Sequence, residues 1–294
     1  MVAVIVLLFG NLTVSALLIG AAVIVNYKTE SFAFNFRSKQ KNKEAQRSFK
    51  ILTYNLNRAY STSVNKGSEQ EALDVIKAQN ADIVLLQEFN PYLYKTISDG
   101  LTLLYPYGSQ DAEGSRFKSV FSRYPIDEFE QLTTGTEVHP ICSMRVWVDG
   151  TKCRIVNCHL MSNNFSIVYR DYLKGNVRLL TGLRKTFELV KQGYEKRQEQ
   201  AELLIEHLQK YEEPILICGD FNEVGGTDTL KRFKRKGHVD TWWKIGLGFG
   251  FTYKGLNMRF RLDHILYSKT QLKPIEISLK SADNFSSVRF SPCL

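Results

Sequence analysis

Two polar residues stand two positions apart at the end of an apolar run: Asp220 and Asn222, in Gly219-Asp220-Phe221-Asn222, directly after Ile215, Leu216, Ile217 and Cys218. Four apolar residues closed by a glycine predict a buried strand. Side chains i and i+2 of a strand share a face, so the carboxylate and the carboxamide leave its end pointing the same way. An acid beside an amide can act as a base, or as an orienter next to a donor for a developing oxyanion. The same pair also opens an Asx turn, and the rest of the chain has to decide. Four more polar residues punctuate apolar segments: Asn55, Glu88, His159 and Asp263. A single histidine such as His159 is ordinarily a satisfied core residue. Six such groups on short apolar strands are harder to dismiss, and their chemistry agrees. A glutamate with nearby Asn and Asp oxygens suits a hard cation such as Mg²⁺, which keeps waters and substrate phosphate in its shell. The nitrogen donors of His159 and Asn222 suit negative charge developing on phosphate. The chemistry implied is metal-assisted hydrolysis of a phosphoester by in-line attack of water.

The elements that must position these groups are short strands alternating with helices. Strands are predicted over residues 49–57, 81–88, 119–126 (stopped by Pro125), 215–219, 261–267 and 285–290. A hairpin is predicted from 145–148 and 153–160 around Asp149-Gly150. Residues 68–79 carry Ala72, Val75 and Ile76 at helical spacing, and the stretch 163–211 turns helical through Leu179, Leu183, Phe187, Val190, Ala201, Leu204 and Leu208. Between Tyr169 and Gln198 basic residues outnumber acidic ones eight to three, which reads as a solvated helix face. Residues 231–236 (Lys-Arg-Phe-Lys-Arg-Lys) read as a surface basic patch with one aromatic, an electrostatic handle for an anionic substrate or a membrane. The fold class this pattern gives is α/β.

The 294 residues have room for a substantial core, and a hydrophobic fraction of 44% with 23% charged residues is that of a globular protein. The net charge of +9 favours an anionic partner without choosing among nucleic acid, anionic lipid and phosphorylated small molecules. The five cysteines have no metal-ligand spacing, and Cys153, Cys158 and Cys218 lie in apolar runs as buried thiols. Residues 1–26 contain no charged side chain, longer than the roughly 20 residues that cross a bilayer. A signal peptide fits less well, because the run has no basic n-region and too long an apolar core, and no convincing small-x-small cleavage site follows it. The expected organisation is a single-pass transmembrane anchor at 1–27, a basic linker at 28–48 with Arg37, Lys39, Lys41, Lys43 and Arg47, and a catalytic domain at 49–294. One isolated span gives the positive-inside rule little to compare, so the side of the membrane stays open.

Thr53-Tyr54-Asn55, Leu86-Gln87-Glu88, Asn157-Cys158-His159-Leu160, Gly219-Asp220-Phe221-Asn222 and Leu262-Asp263-His264-Ile265, in this order, resemble the motifs of the endonuclease/exonuclease/phosphatase superfamily over about residues 49–290. The chain looks like a membrane-anchored member of bacterial type. The resemblance implies a four-layer α/β sandwich, two packed β-sheets flanked by helices, here preceded by the N-terminal transmembrane helix. It makes Glu88 the principal ligand of Mg²⁺ or Mn²⁺, with Asn55 lining the metal side. It puts His159 on the phosphate, Asp220 on the attacking water and Asn222 on the phosphate oxygens. Asp263 would orient the histidine of a terminal Ser-Asp-His motif. There the chain departs from the pattern: the matching stretch is Ala282-Asp283-Asn284, and an asparagine can bond a phosphate but cannot act as a base. Loss of a positioned acid–base group typically costs about 10²–10⁴ in rate. Two readings follow. One is a membrane-anchored phosphoesterase acting on an anionic phosphoester (nucleic acid, lipid headgroup or phosphorylated small molecule), with membrane lipid bound through the N-terminal helix and no protein partner. The other is a weakened or inactive relative serving as a tethered binding module.

Overall fold

Apolar runs without polar interruption form strands here that are covered on both faces, because each sheet has the second sheet on one side and helices on the other. The computed structural model describes residues 34–35, 48–56, 66–89, 94–108, 119–133, 141–163, 179–255, 258–280 and 285–292. The expected transmembrane span at 1–27, and Asp283 with Asn284, lie outside the described residues. Among those described, no helix is long and apolar enough to cross a membrane.

The strands are, in chain order, β1 (Phe34–Asn35), β2 (Phe49–Asn55), β3 (Ile83–Gln87), β4 (Tyr107–Gly108), β5 (Val120–Ser122), β6 (Ile126–Leu132), β7 (Ile141–Val148) and β8 (Thr151–His159). They continue as β9 (Ile215–Asp220), β10 (His238–Asp240), β11 (Gly248–Phe249), β12 (Tyr253–Gly255), β13 (Met258–Phe260), β14 (Asp263–Ser268), β15 (Leu272–Lys280) and β16 (Phe285–Pro292). The helices are α1 (Lys66–Gln79), α2 (Lys95–Thr102), α3 (Leu179–Leu208), α4 (Asp228–Arg235) and α5 (Thr241–Ile245). One six-stranded sheet runs β15-β16-β2-β3-β5-β4, the other β10-β14-β9-β8-β7-β6, and β1–β11 and β12–β13 form two short ribbons.

Alternation along each strand builds the layers. Ile51, Ile83 and Leu85 of the first sheet pack between the sheets against Met144, Ile155, Leu216 and Cys218 of the second. Their neighbours Leu52, Val84 and Leu86 turn outward onto Leu73, Ile76, Ile97 and Leu101 of α1 and α2. On the other side Val156, Cys158 and Ile217 meet Ala201, Leu204 and Leu208 of α3 and Phe233 of α4. The result is helices, sheet, sheet, helices, the expected four-layer sandwich. Each sheet contains one parallel pair, β2 with β3 and β8 with β9, joined through α1 and α3 respectively. The two pairs end side by side, and parallel pairs are where open sheets present ligand-binding loops at the strands' carboxyl ends.

Several local expectations need correcting. The run at 119–126 is two strands in different sheets: β5 ends at Ser122, and Pro125 marks the passage to β6 in the second sheet. The predicted hairpin is β7–β8, with Asp149 and Gly150 both at positive φ (48° and 81°), the geometry of a two-residue type I′ turn. The basic patch at 231–236 belongs largely to α4. Its aromatic, Phe233, is fully buried, Arg232 is paired with Asp228 and Glu202, and Arg235 with Asp228. The strongly basic stretch before residue 198 is not a uniformly solvated face either, since Arg197 is 2% exposed. Part of the expected linker, Phe34–Asn35, pairs antiparallel with β11.

Candidate active site

Asn55 closes β2, Glu88 follows β3, His159 closes β8 and Asp220 closes β9, so the carboxyl ends of the two parallel pairs bring four predicted residues together. The asparagine links the acids: Asn55 Nδ2 donates to Asp220 Oδ2 at 2.8 Å and lies 3.4 Å from Glu88 Oε1. His159 Nε2 is 3.9 Å from Glu88 Oε1 and 4.0 Å from Asp220 Oδ2. Strand pairing places Asp220 opposite His159 on one side and Asp263 on the other. Asn222 follows on a turn whose backbone N–H donates to Asp220 Oδ1 at 2.7 Å, while its amide Nδ2 donates to the Leu160 carbonyl at 2.9 Å. The acid–amide pair is thus both an Asx turn and part of the cluster. Asp283 and Asn284 lie outside the described residues.

Local backbone strain accompanies the cluster. Glu88 and Asn222 sit at φ +55° and +49°, a region that non-glycine residues rarely occupy and that recurs at functional sites. Gly219 has φ +142°, and a Cβ there would meet the Cys158 carbonyl oxygen at 1.9 Å. Only glycine lets β9 pass β8 this closely one residue before the acid.

Beneath the site the sheets are bolted together by polar groups that the sequence motifs contained without announcing a role. Gln87 Nε2 donates to Thr53 Oγ1 (2.9 Å) and, across the sheets, to Asn157 Oδ1 (2.7 Å). Asn157 Nδ2 in turn donates to the Leu86 carbonyl at 3.0 Å. Both amides are at least nine-tenths buried. Thr252, outside those motifs, is also buried, its Oγ1 accepting the backbone N–H groups of Leu262 and Asp263 at 3.1 Å each. Period-two patterning shows that such residues face inward but not which strand they will meet.

A second network holds the loops after β8 and β9. Arg197 reaches from α3 to Glu223 Oε1 (2.7 Å), the Met161 carbonyl (2.8 Å) and Asn163 Oδ1 (2.9 Å), while Gln200 accepts from the Met161 N–H at 2.9 Å. His264 does not join the cluster. Its Nδ1 lies 2.9 Å from Asp240 Oδ2 and its Nε2 2.8 Å from the Glu223 carbonyl. Arg261 completes this group with a 2.5 Å contact to Asp240. Burial and Arg261 push the proton affinity of His264 down, and Asp240 and the carbonyl push it up. The net effect leaves the His264 pKa below the ordinary histidine value. Despite burial, Arg261 and His264 hold the Asp240 carboxyl well below the usual carboxylate range.

The site is electrostatically uneven. Burial, with a further push from Glu88, raises the Asp220 carboxyl to about 6 in spite of its bonds from Asn222 and Asn55. Burial and the facing Asp220 raise Asp263 well above the ordinary value. Asp263 Oδ1 is buried with no hydrogen-bond partner among the described residues. Crowded, desolvated carboxylates of this kind call for a cation, and their oxygens with the Asn55 carboxamide form the hard donor set that Mg²⁺ or Mn²⁺ prefers. Among the described residues no three His, Cys, Asp or Glu side chains converge into a ready-made cage. Mg²⁺ needs none, since one or two carboxylates with waters and substrate phosphate suffice. The donor types present are ones that such an ion accepts.

Comparison with known proteins gives the family and the fold. A model of the Endonuclease/Exonuclease/phosphatase family matches residues 52–281. YbhP of Escherichia coli (strain K12) is 26% identical over 201 residues, covering 60% of this chain and 68% of YbhP. Among solved structures, a humanized D. rerio TDP2 superposes with a TM-score of 0.60 at 16% identity, covering 83% of this chain and 99% of that one. The human Nocturnin catalytic domain with bound sulfate superposes at 0.55 and 16% identity, covering 87% and 100%. At such identities these structures share the fold.

Proposed function

This chain belongs to the endonuclease/exonuclease/phosphatase family, and on that premise we propose that it is a phosphoester hydrolase dependent on Mg²⁺ or Mn²⁺ and held at a membrane by residues 1–27. The observation that carries the reading is the meeting of Asn55, Glu88, His159 and Asp220 at the carboxyl ends of two parallel strand pairs, with Asp263 directly opposite Asp220. A cation held by Glu88 and Asn55 would neutralise phosphate charge and polarise the scissile bond. Asp220, its carboxyl raised by burial to about 6, takes the proton of the attacking water, and Asn55 fixes the orientation of its carboxylate. His159 presents an N–H toward the phosphate, where negative charge builds in the transition state. Asn222 closes the turn that aims Asp220, and its remaining amide N–H is available to a phosphate oxygen. Asp263 is buried opposite Asp220, and burial together with that carboxylate raises its own carboxyl well above the ordinary value.

A second reading, a tethered module that binds phosphate groups without turnover, draws on Asn284 standing where the family carries histidine. Hydrolysis of bis-p-nitrophenyl phosphate with and without Mg²⁺, by the native chain and an Asn284→His variant, separates the two. Metal-dependent turnover by the native chain supports the hydrolase. A silent native chain whose activity returns in Asn284→His would mean that the site is built but lacks its last catalytic group. Silence in both would overturn the hydrolase reading in favour of the binding module.

A further inference from the structure

We propose that the loop at residues 247–251 is a docking surface for a lipid bilayer, a proposal that rests on the reading of a hydrolase held at the membrane and gives that membrane a contact beside the site. Leu247 and Phe249 are 53% and 62% exposed, and Phe249 stacks on Phe251 with ring centroids 5.0 Å apart. Apolar side chains this exposed and this close together mark interaction surfaces more often than accidents. The loop is also fixed at both ends to functional parts of the molecule. Phe249 lies three residues before Thr252, which holds the backbone at Asp263, so the apolar rim is no more than about 11 Å of chain from the site.

At the other end, Phe34 pairs with Phe249 and Asn35 with Gly248, and the buried Asn35 amide donates to the Trp242 carbonyl at 2.7 Å. The chain that reaches this point comes from the uncharged run at 1–26, with only residues 27–33 between. That stretch extends at most about 28 Å, so whatever holds the apolar run lies close to the exposed loop. Of the two macromolecules an aromatic rim can meet, this favours the bilayer over a nucleic acid. Stacking on bases would suit Phe249 and Phe251 but gives no reason for an exposed aliphatic Leu247.

The test places single tryptophans in the full chain and reconstitutes it in vesicles of equal parts phosphatidylcholine and phosphatidylglycerol, with bromine on the acyl chains. Phe249→Trp is the primary probe and Leu247→Trp the second, should the first fold poorly. Phe187→Trp, at a 70% exposed position on α3, is the reference. Docking predicts that bromolipid quenches the added fluorescence at 249 or 247 by about twofold or more, as for side chains buried roughly 5–10 Å into the interface. Position 187 should respond to aqueous iodide instead. Iodide quenching at 249 and 247 equal to that at 187, with no bromolipid effect, would overturn the proposal. So would a response to oligothymidylate alone, which would make the loop a nucleic-acid platform. Hydrolysis of bis-p-nitrophenyl phosphate by the same samples separates the two readings. Turnover without bromolipid quenching sinks the docking surface and keeps the hydrolase, and quenching without turnover does the reverse.

Discussion

Asp220 carries two conflicting demands: it must be ionised to accept a proton from water, yet burial and Glu88 hold its carboxyl up near 6. If it is the base, the rate should fall about tenfold per pH unit below that value, with the acid limb lying lower still once a bound cation draws the proton off. A pH–rate profile of the native chain checks this. Asp220→Asn should lose about 10²–10⁴ in rate. The same substitution removes a desolvated charge beside Glu88, so without metal it should raise the melting temperature at neutral pH. Each kcal/mol of relieved repulsion corresponds to about 2–4 °C in a protein of this size. Loss of activity with a gain in stability would identify a strained functional group rather than a structural one. The candidate residues were legible because polar side chains closing apolar strands are conspicuous. Gln87, Asn157 and Thr252 were not, because their work depends on which strand lies across from them, and that is a matter of sheet register.

The loops after β8 and β9 owe their mutual position to α3, through an arginine and a glutamate that are both almost fully buried. Removing one partner of such a pair leaves a desolvated charge and costs about 3–5 kcal/mol. Arg197→Ala should therefore lower stability by that order in denaturant titration, and Arg197→Lys should recover only part, since a lysine ammonium cannot reproduce the forked contact to Glu223, Met161 and Asn163. Helix α3 was visible as a periodic apolar pattern, but the basic residues on it looked alike. The partner that singles out Arg197 lies 26 residues away, beyond β9. The edge strand β15 went unpredicted for a related reason. It carries Pro274 at a register shift and alternates with charged residues, as edge strands do, so its apolar signal is weak. The eight-residue α2 was equally faint, covering just two turns.

At the scale of the whole molecule, the α/β class was legible from apolar strands alternating with helices and the four-layer order came from the family resemblance, whereas the pairing of two crossovers end to end, which assembles the site, was not legible. Net charge acts at this scale as well. Buried groups give the fold opposing responses to acid. His238 is pushed down by burial from 6.5 to about 4, so the unfolded chain takes that proton first, and the stability present above about pH 6.5 is lost as the pH falls toward 4. Asp220, raised to about 6, works the other way between 6 and 3.8. The native profile mixes the two, so the informative quantity is the difference between the native chain and His238→Asn. The variant should lose less stability from pH 6.5 to 4, by up to about 3 kcal/mol, in chemical denaturation.

The central claim is that Glu88 and Asn55, at the ends of β3 and β2, would hold a divalent cation for phosphoester hydrolysis beside Asp220. Its most direct test strips the full chain with a chelator and follows bis-p-nitrophenyl phosphate hydrolysis as Mg²⁺ is returned, with Glu88→Gln alongside. The account predicts turnover that rises and saturates with Mg²⁺ in the native chain, and a loss of at least about 10² in Glu88→Gln that more metal only partly recovers. Hydrolysis indifferent to chelator and metal, or equal in the native chain and Glu88→Gln, would contradict it.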